Sequence, residues 1–403
     1  MKTTMIIPSY WTRERGMGAK ETDAVYDHPT PLDDEGTLQR TIESISILKE
    51  KDFDLVIIAV SNAADVEDSV EENVARIIGN ANADVTVRLF SHSHLRKIHR
   101  ILKEEGGGRF VELLSLRGYS NIRNLCLFLP HLLGSDIAVL IDDDEVFEDP
   151  FFMNKAREYI GQRIDDRFVG AVAGYYLQPD GDWRLKTSPE SERASWDKVA
   201  RMNEAFEKII GTGPRLKETP FVFGGNMIVH RDIFRHIPFD PSISRGEDID
   251  YLINMRMFGH AFFLDDSLSI KHLPPPKPHP VWKELREDLY RFIRERQKLR
   301  NQEAMPGMVH VRAEELDPYP GAFLKDDLED KIASECTALA TQYRIEGKES
   351  DAVEALNNIV IAKSETESGE NLFHRLIRTQ RLWEEMMDFT STGDIGRKLA
   401  SLL

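Results

Sequence analysis

Residues 118–145 read GYSNIRNLCLFLPHLLGSDIAVLIDDDE. Leu125, Phe128, Leu129 and Leu132 recur at helical spacing, and Ile137–Ile141 follow as an apolar run of strand length. Asp142, Asp143, Asp144 and Glu145 come next with no spacer. Four acids at the end of a buried strand are costly unless a cation or strong donors meet them. In an extended chain Asp142 and Asp144 point the same way. Two carboxylates on one side suit a hard divalent cation, Mg2+ or Mn2+, which prefers oxygen ligands. The plainer alternative is an acidic turn that starts a helix near Pro150.

Outward from this stretch the pattern repeats. Upstream, Met5-Ile6-Ile7 is a short strand expected to break at Pro8. Leu38, Ile42, Ile45 and Leu48 predict a helix, Leu55–Val60 a buried strand, and Val66, Val70, Val74 and Ile77 a second helix. Val85, Val87 and Leu89 alternate as a strand. This order predicts an α/β fold, a mostly parallel sheet with helices on both faces and the ligand at the carboxyl ends of the strands. The segments PSYWTR and DDDE fall at such ends. Downstream, Phe168–Leu177 and Phe221–His230 read as strands, and residues 191–210 and 246–258 as helices. The extended stretch LPPPKPHP marks a boundary, after which three long helical patterns follow. The predicted domains are 1–280, with halves 1–150 and 151–280, and a C-terminal α-helical domain over 281–403. These helices are expected to shape the acceptor site or to form a homo-oligomer interface.

Two further segments carry candidate chemistry. In SRGEDIDY (244–251), Ser244 and Glu247 fit a capping box that opens a helix. Asp248 then lies in the first turn, where the helix field favours the ionised carboxylate, a candidate general base. Asp250 is expected to point to another face of the helix, where its substitution matters least if it is solvated. His272 follows a strand-like run, and an imidazole can complete a metal site made by carboxylates.

The ordered blocks PSYWTR, GYSNIRNLCLFLPHLLGSDIAVLIDDDE, FGGNMIVH, RGEDIDY and KHLPPP resemble inverting family 2 glycosyltransferases of the Rossmann-like GT-A fold over roughly residues 3–280. The resemblance implies a metal-dependent enzyme that moves a sugar from a UDP- or GDP-sugar to a hydroxyl acceptor. It places Asp142 and Asp144 in the DxD motif, His272 as a further metal ligand, and Asp248 as the catalytic base. Arg123-Asn124 match the pair that opens the helix before the metal strand. Pro8, Ser9, Tyr10, Arg123, Asn124, Asp142 and Asp143 are the implied nucleotide-sugar contacts. Gly224-Gly225-Asn226 would let a substrate approach the backbone, and Tyr175, Trp183 and Trp196 are candidates to stack on sugar rings. Asn62 and Asp65 stand where the family often has Asp-Gly or Asp-Asn, and no QxxRW segment occurs. Alternatives are a retaining synthase of glucosylglycerate or mannosylglycerate type, which the Glu247-Asp248 pair disfavours, a nucleotidyltransferase, for which PSYWTRERGMG is a poor basic loop, or an inactive scaffold.

Composition agrees with an ordinary globular chain. Its 403 residues are 41% hydrophobic and 30% charged, enough for two or three domains. A net charge of -17 argues against nucleic acid as partner. Cys126 and Cys336 have no metal-binding neighbours in sequence. No signal peptide and no apolar run of transmembrane length is apparent, so a cytoplasmic location is expected.

Overall fold

The computed structural model describes all residues except 19, 21, 187–195, 277, 278, 368 and 392. Eight strands make the main sheet: β1 (Thr3–Thr12), β2 (Asp54–Ser61), β3 (Val87–Phe90), β4 (Ile137–Ile141), β5 (Ala171–Leu177), β6 (Leu216–Glu218), β7 (Asn226–His230) and β8 (Phe263–His272). They are ordered β6-β8-β5-β7-β4-β1-β2-β3, with two-residue strands at Thr30–Pro31 beside β1 and Glu145–Val146 beside β8. The N-terminal part is parallel, β4, β1, β2 and β3 running together. β7 runs antiparallel to both its neighbours, whereas β8 is parallel to β5. The sheet is therefore mixed, parallel where β1 and β4 end.

Alternation along β1 builds two layers. Met5, Ile7 and Trp11 point into the core under helices α1 (Leu38–Ser44), α2 (Glu67–Asn80) and α5 (Phe152–Glu158). Ile6 and Tyr10 point the other way, towards α3 (His92–Glu104), α4 (Tyr119–Leu132), α6 (Lys198–Ile209) and α8 (Glu247–Met257). The short α7 (Arg231–Phe234) follows β7. Helices α9 (Val281–Arg300), α10 (Leu328–Ile345), α11 (Glu349–Thr366), α12 (Leu372–Ser391) and α13 (Gly393–Ala400) complete the chain. Leu289, Leu339, Trp383 and Leu399 belong to the same apolar cluster as Ile6 and Leu125. The apolar cluster thus continues across the prolines at the 280/281 boundary. α4 is buried almost all round, because it lies between the sheet and α12.

Three elements depart from expectation. β1 does not stop at Pro8 but runs to Thr12. Pairing with β4 ends at Ile6, so the missing N–H of Pro8 costs that ladder nothing. Only Asn226–His230 of the predicted strand 221–230 is extended in the sheet, and residues 221–225 form a loop. The predicted helix 191–210 is seen as Lys198–Ile209, its residues 191–195 lying outside the described residues. Among the described residues no helix is long and apolar enough to cross a membrane.

Candidate active site

β1 and β4 end side by side, and the chain leaving β4 turns sharply through Asp142–Asp144. Glu145–Val146 then pairs antiparallel with the end of β8, setting His272 opposite Glu145. The β5–β8 register shifts between Leu264 and Ser269, and Gly174 makes room there. A Cβ on Gly174 would lie 1.9 Å from the Leu268 carbonyl oxygen. The start of α8 faces this acidic turn across a cavity of about 470 Å3 lined by Asp142, Asp143, Asp144, His272, Glu247 and Asp248, among others.

The three aspartates do not share one direction, as an extended DxD would. A turn replaces the extended chain, and each finds its own partner. Asp142 forms an ion pair with Arg123 (Oδ1 to Nη2, 2.8 Å). Asp143 accepts from Ser9 Oγ at 2.6 Å, and Ser9 in turn accepts from Trp11 Nε1 at 2.8 Å. Asp144 Oδ2 lies 3.4 Å from His272 Nε2, and the His272 ring stacks on Tyr176 at 4.7 Å. Glu145 folds back to accept from the Asp142 amide at 3.0 Å. Gly225 is needed beside them, since a Cβ there would lie 2.1 Å from Glu145 Oε1 and 2.7 Å from the Asp142 carboxyl.

Arg123 ties the two halves of the site together. It is 3% exposed and reaches from α4 to Asp142 on one side and to Glu247 Oε1 at 3.1 Å on the other. Its charge is too little for the acids around it. Burial raises the carboxyl of Asp142 above its ordinary range despite Arg123, and raises those of Asp143 and Glu145 well above it. Burial likewise pushes Glu247 up to about 7, against the pull of Arg123. Asp144 goes the other way: although burial opposes it, His272 holds this carboxyl below its usual value. Glu145 Oε1 is buried without a well-formed hydrogen bond among the described residues, with the Tyr176 hydroxyl near its carboxyl.

Among the described residues no three His, Cys, Asp or Glu side chains are gathered as a ready-made metal cluster. Arg123 occupies Asp142, one member of the predicted set. The donor chemistry still fits a hard divalent cation: buried carboxylate oxygens, in excess of the positive charge, one of them without a well-formed hydrogen bond.

Several predicted contacts fall elsewhere. The capping box does not form, because Gly246 with φ 71° takes the N-cap position of α8. Ser244 Oγ instead donates to Glu287 Oε2, and Glu247 turns to Arg123. Asp250 is not solvated but fully buried, 2.6 Å from Lys298 Nζ. Asn124 is turned from the cavity, its amide exchanging hydrogen bonds with the Phe239 backbone at 2.8 and 3.0 Å. Pro8 and Ser9 lie within β1 rather than in the cavity wall, and Ser9 acts on Asp143. Trp183 packs under Arg184, Trp196 against Phe292 and Phe323, and the Tyr175 hydroxyl donates to the Asp266 carbonyl oxygen, so none of the three lines this cavity. Asp65 pairs with Arg13 and Lys20, and Asn62 is buried at the end of β2.

Tyr10 does line the cavity, in a group that sequence reasoning missed. Tyr10, Tyr26 and Tyr119 hold their rings at centroid distances of 4.7, 5.2 and 5.0 Å. Tyr119 sits four residues before Arg123 on one helix face, a spacing that would have revealed it. Arg245, from the RGEDIDY block, also lines the cavity, as do Asp288, Arg291 and Tyr319, which no motif announced. Arg291 donates to Glu295 at 2.9 Å and to the Tyr319 hydroxyl at 3.0 Å. It lies so close to Gly246 that a Cβ there would meet its Nη1 at 2.3 Å.

No family model matches the chain. No curated protein matches it either. Among solved structures, a mannosyltransferase from Pyrobaculum calidifontis in complex with GDP-Man and Mn2+ is similar at 12% identity and TM-score 0.38, covering 100% of this chain and 86% of that one. A mycobacterial protein is similar at 17% identity and TM-score 0.38, covering 72% and 74%. GalNAc-T7 with UDP, GalNAc and Mn2+ is similar at 12% identity and TM-score 0.37, covering 84% and 57%. These are partial overlaps in the course of the chain, and a shared course says nothing by itself about chemistry.

Proposed function

We propose that this protein is a metal-dependent glycosyltransferase that moves a sugar from a nucleoside diphosphate sugar to a hydroxyl acceptor with inversion at the anomeric carbon. One observation carries the reading. An over-acidic turn at the ends of parallel strands β1 and β4 faces a helix start bearing Asp248 across a single cavity, with Arg123 between them. The ordered motifs of residues 3–280 support the same assignment.

In this reading the donor lies over the Asp142–Glu145 turn. Asp142, Asp144 and His272 would hold a divalent cation, which supplies neutralising charge at the departing diphosphate. Tyr10 and Tyr119 offer ring surface to the nucleoside, and Arg123 a fixed positive charge to the phosphates. Asp248 accepts the proton of the acceptor hydroxyl as its oxygen bonds to the anomeric carbon. The carbon–oxygen bond to the diphosphate breaks on the opposite face, and the diphosphate leaves with the electron pair. Glu247 is the less suitable base because Arg123 engages it and it is 6% exposed, whereas Asp248 is only half-buried.

Donor turnover tests the proposal. Transfer should stop in excess chelator and return with Mn2+ or Mg2+, and proton NMR should show a product of opposite anomeric configuration. Full activity in chelator would refute the metal assignment. A retained configuration would refute the inverting mechanism and favour the retaining synthase.

A further inference from the structure

Tyr319 enters the cavity from the loop between α9 and α10 and is 3% exposed. Its ring packs edge-on with Phe292 and Phe323 at 6.3 and 6.4 Å, and neither of these lines the cavity. The hydroxyl end is therefore the one that faces the cavity. There it accepts from Arg291 Nη1 at 3.0 Å. The same nitrogen lies against Gly246, two residues before Asp248. Asp248 is near enough for its charge to act on the phenol.

A guanidinium can only donate, so the Tyr319 oxygen must accept from it. The O–H bond then has to point away from Arg291. Arg291 is itself held, by Glu295 at 2.9 Å and by the backbone at Gly246, so this direction is set. Among the described residues no group accepts from the Tyr319 O–H. A buried donor normally has an acceptor, and the cavity is where a substrate can bring one. Burial pushes the phenol up to about 12, although Arg291 opposes this, so it is a donor at neutral pH. Asp248 is the complement. Its Oδ1 accepts from the Ile249 amide at 2.8 Å, and its Oδ2 accepts from no described residue. One side of the cavity thus offers a donor and an acceptor to the same ligand. A hydrogen bond donated to the attacking oxygen would engage the lone pair that must bond to the anomeric carbon. The productive partner of Tyr319 is therefore a different oxygen.

We propose that Tyr319 donates a hydrogen bond to a second oxygen of the acceptor, beside the hydroxyl that Asp248 deprotonates, so that the acceptor is a polyhydroxylated molecule, a sugar or polyol, rather than a lone alcohol. The proposal rests on the reading of the cavity as a site of glycosyl transfer and names the substrate class of that site.

Transfer kinetics test it. Glycerol, glucose, mannose and galactose serve as acceptors, with UDP- and GDP-linked hexoses as donors, and monodeoxy forms of the best acceptor are then compared in wild type and Tyr319→Phe. The variant keeps the ring contacts, so melting temperature and nucleotide binding should stay near wild type. In wild type one monodeoxy form should lose about tenfold in kcat/KM. In Tyr319→Phe the full acceptor should lose about as much, and that deoxy form no more, because both changes remove one hydrogen bond. A merely structural role would lower every acceptor alike. Additive losses, or wild-type kcat/KM in the variant, would overturn the proposal. So would a wild-type series in which no deoxy form loses more than about twofold, whether or not the variant folds. Donor hydrolysis with no transfer to any polyhydroxylated acceptor would overturn the proposal and leave the transferase reading standing. Turnover of none of the donors would sink that reading, and the proposal with it.

Discussion

Glu247 and Asp248 are adjacent in sequence and meet different surroundings, because successive helix residues face about 100° apart. Glu247 is clamped by Arg123, while Asp248 looks into the cavity with one oxygen on the Ile249 amide at 2.8 Å. Asp248→Asn keeps the shape and removes the base, so transfer should fall roughly 10²–10⁴-fold with nucleotide binding retained. Turnover near wild type in that variant would move the base elsewhere. Gly225 gives a second residue-scale prediction. The Cβ of Gly225→Ala would sit inside the contact distance of Glu145 and Asp142, so the acidic turn must shift. Loss of transfer with a melting temperature within a few degrees of wild type is expected. An active alanine variant would show that the turn can move without harm.

At the scale of elements, α8 and α9 are joined by buried charge. Lys298 on α9 contacts Asp250 at 2.6 Å and Asp240 at 3.1 Å, all three buried. Asp250→Asn removes one carboxylate from a buried ammonium and should cost roughly 3–5 kcal/mol of stability, read by denaturant titration. A loss under about 1 kcal/mol would mean that Asp240 alone compensates Lys298. Glu295, one turn before Lys298, adds a pH dependence. Burial pushes its carboxyl from 4.5 up to about 7, although Arg291 at 2.9 Å opposes this. The fold then holds a proton that the unfolded chain has already released. The associated stability is complete below pH 4.5 and is lost as pH rises through about 7. Glu295→Gln cannot titrate, so wild type should lose stability relative to it over that window. Parallel stability curves for the two proteins would contradict the assignment.

At the scale of the whole molecule, one apolar cluster runs from the sheet through α4 into α12 and α13. Trp383 Nε1 donates to the Phe234 carbonyl oxygen at 2.9 Å, pinning α12 to α7. A chain truncated at Lys283 should therefore expose the outer face of α4 and aggregate, without a cooperative unfolding transition. A monodisperse, cooperatively unfolding truncation would show that the C-terminal helices are a separate unit after all. What neighbours along the chain encode was legible before any fold was known. The period of Leu125–Leu132 and the run Ile137–Ile141 specify helix, strand and the carboxyl end where Asp142–Glu145 collect, because hydrophobic periodicity is local. The placement of Asp248 and His272 towards that end was legible through the order of motifs. Which partner each acid takes depends on contacts made in the folded chain. Glu247 looked like a cap for Ser244, yet Arg123, from 124 residues away, claims it. Asp250 looked solvated until α9 brought Lys298 to it. Arg291 and Tyr319 reach the cavity from beyond the prolines with no motif at all. Desolvation makes a buried charge find a partner wherever packing supplies one, and packing joins surfaces that lie far apart along the chain.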